Sequence, residues 1–104
     1  MEGSEILDTS VAIERRNGTI TIFTTIEYPK SLEKNFEVVW PTQEEFIKAT
    51  EISSKLYAIG KPVPAIDILI SSIAISRNMK ILTKDKHFGH IKEVEKELQF
   101  EVIF

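Results

Sequence analysis

Apolar and polar positions along this chain repeat with a period near two in some stretches and near 3.6 in others, and the two kinds of stretch take turns. Ile6 and Leu7 close a short apolar run that reads as a strand over residues 5–7, and residues 11–16 read as a brief helix. Asn17-Gly18 is a turn signal that stops that helix. TITIFTT, residues 19–25, alternates threonine with β-branched or aromatic residues and predicts a second strand. A helix is expected over residues 26–33, with Pro29 tolerable only in its first turn. FEVVW, residues 36–40, predicts a third strand. The clearest helix start is Thr42, because Glu45 completes a capping box and Phe46, Ala49, Ile52, Leu56 and Ile59 follow at helical spacing as far as Gly60. Pro64 sits where a helix can begin, and residues 66–75 are apolar nearly all round, which predicts a buried helix. KILT at 80–83 predicts a strand, KHFGHIKEVEKEL is mostly helical after a loop, and FEVIF closes the chain as a last strand.

Strands alternating with helices favour a mostly parallel five-stranded sheet covered on both faces, a three-layer α/β/α sandwich. The length of 104 residues suits one domain spanning residues 1–104, and 42% hydrophobic with 28% charged residues is ordinary globular usage. No apolar run approaches the roughly 20 residues of a membrane span. Glu2 and Glu5 stand where a signal peptide would carry basic residues, so a cytoplasmic location is expected. The absence of cysteine excludes disulfides, thiolate zinc sites and cysteine nucleophiles. With only His87 and His90, any metal must be held mostly by oxygen, which points to Mg2+ or Mn2+. The net charge of -3 provides no general attraction for nucleic acid, so a phosphate substrate would need a local basic patch or metal ions.

The acids then become informative. In open parallel sheets, ligands bind outside the carboxyl ends of the strands. Asp8 directly follows the first predicted strand, Glu27 lies just past the second, and Asp85 lies two residues beyond the strand at 80–83. Asp67 opens the most apolar helix, in PAIDILI. Each has a bland counterpart. Asp67 and Glu27 could serve a helix dipole, and Asp85 between Lys84 and Lys86 could be a solvated loop charge. Asp8 resists that explanation, since Thr9 and Ser10 could cap in its place. Several carboxylates brought together repel and raise one another's pKa values, which a divalent cation relieves. Such an ion can activate water and stabilise charge developing on a phosphodiester.

On these residues the chain resembles the PIN-domain ribonucleases, and most closely the VapC-type toxins of toxin–antitoxin pairs. ILDTSV is similar to the first family motif, matching Asp8, and TTIEY to the second, matching Glu27. PAIDILISSIAI is similar to the motif whose aspartate heads a buried helix, matching Asp67, and ILTKDKHFGHI to the last, matching Asp85. The resemblance implies a metal-dependent endoribonuclease in which Asp8, Glu27, Asp67 and Asp85 form an acidic pocket for Mg2+ or Mn2+. It implies that Thr9, Ser10 and Thr83 orient carboxylates or water, and that the sheet order is 3-2-1-4-5 with Asp8 at its centre. An RNA substrate, a small antitoxin at the acidic edge and a homodimer are the partners it implies, with no membrane. The chain departs from the family after its first strand, where one short helix stands in place of the usual pair.

Arg15, Arg16, Lys84, Lys86 and His87 are near the acids in sequence and could meet RNA phosphates, although a solvated rim explains them as well. His87 could also carry a proton. Glu44 and Glu45 read as capping residues, KEVEKE at 92–97 as an exposed helix face, and Trp40 as core or interface packing. Two other functions stay open at this stage. One is a shortened, non-catalytic PIN-like module that binds RNA or a protein. The other is a phosphotransfer domain with Asp8 or Asp85 as acceptor.

Overall fold

The computed structural model describes residues 4–104; Glu2 lies outside the described residues. In chain order the elements are β1 (Glu5–Leu7), α1 (Thr9–Ala12), β2 (Asn17–Thr21), α2 (Ile22–Glu27) and a 3-10 turn (Pro29–Glu33). They continue with β3 (Asn35–Val39), α3 (Gln43–Ala58), α4 (Ala65–Ser76), β4 (Lys80–Thr83), α5 (Phe88–Val94) and β5 (Gln99–Val102). All strand pairs are parallel, and helices cover both faces, as the alternating pattern predicts. The expected single five-stranded sheet is corrected: β1, β4 and β5 form one sheet in the order β1-β4-β5, and β2 with β3 forms another. β2 still runs beside β1. The break falls where Gly18, at a φ of +135°, leaves the extended region; a Cβ there would come within 2.9 Å of Leu7 Cδ1. Asn17-Gly18 is accordingly the start of β2, paired with Asn35 and Phe36, rather than a turn outside it.

Alternation along the strands divides the core. Ile6 and Ile81 face the layer of α3, α4 and α5, where they join Ile52, Leu56, Ile70, Ile73 and Phe88. Leu7 and Leu82 face the opposite side and pack with Val11, Ala12 and Ile20. Register pairs Ile6 with Ile81 and Leu7 with Leu82, so each apolar position meets its like across β1 and β4. α4 is buried on several sides, through Ile68, Ile70, Ser71, Ser72, Ile73 and Ala74, in keeping with its apolar sequence.

Four stretches differ from the sequence expectation, the first being α1, which spans Thr9–Ala12 rather than residues 11–16. TITIFTT is strand only to Thr21, and α2 begins at Ile22. Local β propensity yields there to tertiary contacts: Thr24 and Thr25 are buried, and Thr25 Oγ1 donates back to the Ile22 carbonyl at 2.6 Å. The helix expected over 26–33 splits, so Glu27 ends α2 and Pro29 opens the 3-10 turn. Residues 92–97 are not one exposed helix face, because α5 stops at Val94 and Glu95 is buried between Lys48 and Lys55, at 3.1 and 2.8 Å. Trp40 is 65% exposed, which removes core packing as its role.

The capping box at Thr42 forms as expected, its hydroxyl accepting from Glu45 N at 3.1 Å while Glu45 Oε1 accepts from Thr42 N at 2.8 Å. The same carboxylate is held by Arg77 at the end of α4, Nε and Nη2 each at 2.9 Å. Burial opposes ionisation of Glu45, but the bonds from Arg77, Thr42 and Ser76 outweigh it and hold the carboxyl below its usual range. Ser72 Oγ adds a 2.5 Å bond to the Glu45 carbonyl, so α3 and α4 are joined where α4 ends. Arg77→Met leaves the Glu45 charge buried without its partner. It is expected to cost about 2–3 kcal/mol in urea unfolding, less than a fully enclosed pair because Arg77 is partly exposed. A loss below about 0.5 kcal/mol would show that the pair is no more than a surface bridge.

Candidate metal centre

Asp8, Thr9, Ser10, Glu27, Pro64, Asp67, Asp85 and His87 line one open cavity of about 300 Å3. It lies beyond the carboxyl ends of β1 and β4, so strand polarity accounts for its position. Four elements supply the acids. Asp8 follows β1, Glu27 ends α2, Asp67 stands in the first turn of α4, and Asp85 lies in the loop from β4 to α5.

Asp8 continues the β1–β4 pairing by one bond, its N–H donating to the Leu82 carbonyl at 2.9 Å. Its carbonyl accepts from Val11 and Ala12, which starts α1, while its side chain makes no capping bond. The backbone therefore does the capping and leaves the carboxylate for other contacts. Those contacts are hydroxyls. Thr83 Oγ1 donates to Asp8 Oδ2 at 2.7 Å and Ser10 Oγ donates to the same oxygen at 3.1 Å. Each hydroxyl also accepts a backbone N–H, Thr83 from Asp85 and Ser10 from Lys84, at 2.9 and 3.0 Å. Because an ionised carboxylate can only accept, each hydroxyl hydrogen is directed at Asp8. Thr9 Oγ1 donates to Glu27 Oε1 at 2.6 Å, which uses its one hydrogen, so Thr24 is the donor in the 3.1 Å Thr9–Thr24 contact.

Asp67, Asp85 and His87 form a tighter group, with ligand atoms all within 4.8 Å of one another. His87 Nδ1 stands 3.0 Å from Asp85 Oδ2 and 3.9 Å from Asp67 Oδ2. His87 N donates to Asp85 Oδ1 at 2.9 Å, so Asp85 holds both the backbone and the ring. Asp67 is pushed up to about 6 by burial first and then by the Asp8 and Asp85 charges, with Glu27 adding to them and His87 opposing. This donor set fits a divalent cation: oxygens and one imidazole lie at ligand separations, and the charge already present strains Asp67. His87 is the residue that sequence reasoning did not place among the ligands. The spacing Asp85-x-His87 in a loop was the available signal, because it lets one carboxylate reach the ring two residues on.

Arg15, Arg16, Lys84 and Lys86 do not line the cavity. Lys84 pairs with Glu14 instead, Nζ to Oε2 at 2.7 Å, whereas Arg15, Arg16 and Lys86 are exposed and form no ion pair among the described residues.

Residues 24–94 match the PIN domain family, and the chain belongs to it. Glu27, Asp67 and Asp85 fall inside that match and Asp8 before it. The fold is also that of several solved toxin–antitoxin proteins. It is similar to VapBC2 from Rickettsia felis bound to a promoter DNA fragment, with a TM-score of 0.76 at 16% identity over 94% of this chain and 97% of that one. DNA-bound VapBC from Salmonella typhimurium gives 0.75 at 21% identity over 98% of each chain. VapBC-1 from nontypeable Haemophilus influenzae gives 0.73 at 19% identity over 94% of this chain and 96% of that one. No curated protein matches the sequence significantly. At these identities the likeness is one of fold.

The Asp67 shift fixes a pH dependence. Below its ordinary value of 3.8 the carboxyl is neutral in both folded and unfolded chains and costs nothing. As pH rises to about 6 the unfolded chain ionises first, so stability falls, and the cost is complete above that value. In EDTA, Asp67→Asn is therefore expected to raise unfolding stability by about 2 kcal/mol at pH 7.5 and by much less at pH 4. Equal effects at both pH values would remove repulsion as the cause.

Proposed function

We propose that this protein is a metal-dependent endoribonuclease that hydrolyses RNA phosphodiesters, and that it is the toxin of a toxin–antitoxin pair. The convergence of Asp8, Glu27, Asp67 and Asp85 on one cavity carries this reading. Asp8, Glu27, Asp67 and Asp85 are assigned as the acids that hold Mg2+ or Mn2+ and present it to the substrate. A divalent cation at the site supplies Lewis acidity for attack of water on phosphorus.

The protein's own groups prepare that site. Thr83 and Ser10 each direct a hydrogen to Asp8 Oδ2, which fixes the carboxylate plane and leaves Oδ1 free of protein donors among the described residues. Thr9 holds Glu27 by the same means at the exposed side of the cavity. These hydroxyls act on the carboxylates and are positioning residues. Single-stranded or looped RNA suits an open cavity, since its backbone is accessible there. Arg15, Arg16 and Lys86, exposed and without acidic partners among the described residues, are the cations available to phosphates flanking the cut; His87 stands closer, in the cavity wall.

The VapBC structures it resembles support an antitoxin as partner, and a basic antitoxin side chain among the carboxylates would suit their charge. A homodimer, a single domain over residues 1–104 and a cytoplasmic location complete the proposal. For the location, the supporting fact is that no helix among the described residues is long and apolar enough to cross a membrane. A second reading, a non-catalytic module binding RNA or a protein, is favoured by one observation: α1 is only four residues long and leads directly to β2.

An RNA-cleavage time course in EDTA, Mg2+ and Mn2+ separates these. Cleavage is expected only with metal, abolished in Asp8→Asn and in Asp67→Asn, and slowed about 10–100-fold in Thr83→Val. Unchanged activity in both aspartate variants refutes the site. A folded protein that retains RNA but cuts none in either metal establishes the binding module instead.

A further inference from the structure

The four acids of the cavity are not equivalent. Asp8 Oδ2 accepts two hydroxyl hydrogens and Glu27 Oε1 accepts one, whereas Asp67 and Asp85 turn toward the His87 ring. Among the described residues, Asp67, Asp85 and His87 are the one group of three acidic or histidine side chains whose ligand atoms gather within 4.8 Å. Resting on the reading that the cavity binds a divalent cation, we propose that His87 Nδ1 is a direct ligand beside Asp67 and Asp85. The seat then has mixed oxygen and nitrogen character and selects Mn2+ over Mg2+.

The separations are compatible with this. Two ligands at about 2.1 Å from an octahedral ion stand about 3 Å apart when adjacent and about 4 Å when opposite. His87 Nδ1 lies 3.0 Å from Asp85 Oδ2 and 3.9 Å from Asp67 Oδ2, inside that span before any movement. The ring is also tethered. Asp85 Oδ1 accepts from His87 N, Asp85 N donates to Thr83 Oγ1, and Thr83 donates to Asp8, so a hydrogen-bonded chain runs from the sheet to the histidine. The residue that follows, Phe88, is fully buried beside Phe100 and anchors the loop from the other side. His90, the other histidine, is engaged with Glu93 and does not line the cavity.

Selectivity follows from ligand chemistry. Mg2+ demands hard oxygen ligands and keeps its waters, so an imidazole adds little to its binding. Ions of the first transition row accept imidazole readily, and a nitrogen in the set shifts preference toward them. The ring is half-exposed, so an ion held here would be within reach of solvent and of substrate oxygens.

Pulsed EPR and calorimetry on the Mn2+-loaded protein test the assignment without relying on cleavage. The wild type is expected to show a directly bonded 14N coupling, and His87→Gln, at an exposed position compatible with folding, to lose it. Mn2+ affinity should fall about tenfold or more in that variant, the least that disturbing a metal site costs, while Mg2+ affinity changes less than about threefold. Mn2+ bound by the wild type with no 14N coupling overturns the nitrogen ligand and leaves the cation site standing. Equal losses of Mn2+ and Mg2+ affinity overturn the selectivity. A wild-type protein that binds neither ion overturns this assignment together with the reading it rests on.

Discussion

The parallel pairing of β1 with β4 is the constraint on which the site depends. It places Leu7 opposite Leu82, and the next bond, from Asp8 N to the Leu82 carbonyl, brings Asp8 beside Thr83. The 2.7 Å hydrogen bond from Thr83 to Asp8 then joins the end of one strand to the end of the other. From Thr83 the same network continues to Asp85 and His87, and through Ser10 it reaches Lys84. Because β1 has only three residues, a register shift of one would turn Asp8 to the wrong face and scatter the network.

Convergence of acids has an energetic cost, visible at Asp67, whose carboxyl is pushed up to about 6 by burial and by its neighbours. Two other buried acids are shifted the opposite way. Glu45 and Glu95 are buried more fully than Asp67, yet each is held in the lowered range by cations, Arg77 for one and Lys55 with Lys48 for the other. The contrast is informative. Where a buried carboxylate serves packing, the chain supplies a cation to it. At the cavity it supplies only hydroxyls and a half-exposed histidine, an arrangement suited to an ion or a cationic group from outside.

Gly18, the second residue of β2, belongs to the same arrangement. Leu7 packs against the bare Cα of Gly18, and no ladder forms between β1 and β2. β2 and β3 nevertheless remain alongside, and α2 leaves β2 toward the cavity, which is how Glu27 reaches a site built mainly by β1, α4 and β4.

How much of this could be read from residues alone depends on the distance over which each feature is decided. The capping box at Thr42, the stop at Gly60 and the buried character of α4 come from neighbours within a few positions, where hydrophobic period and capping chemistry act directly. The placement of Asp8, Asp67 and Asp85 was equally legible, since strand polarity and a helix start determine which end of the fold a residue occupies. The boundary between β2 and α2 was not, because threonine-rich sequence suits a strand and only burial of Thr24 and Thr25 made it helical. Nor could the sequence reveal that the sheet divides at Gly18, that Glu95 is enclosed by two lysines of α3, or that His87 turns onto Asp85. Those outcomes rest on side chains distant along the chain, or on ring direction in a loop, and only tertiary packing decides them.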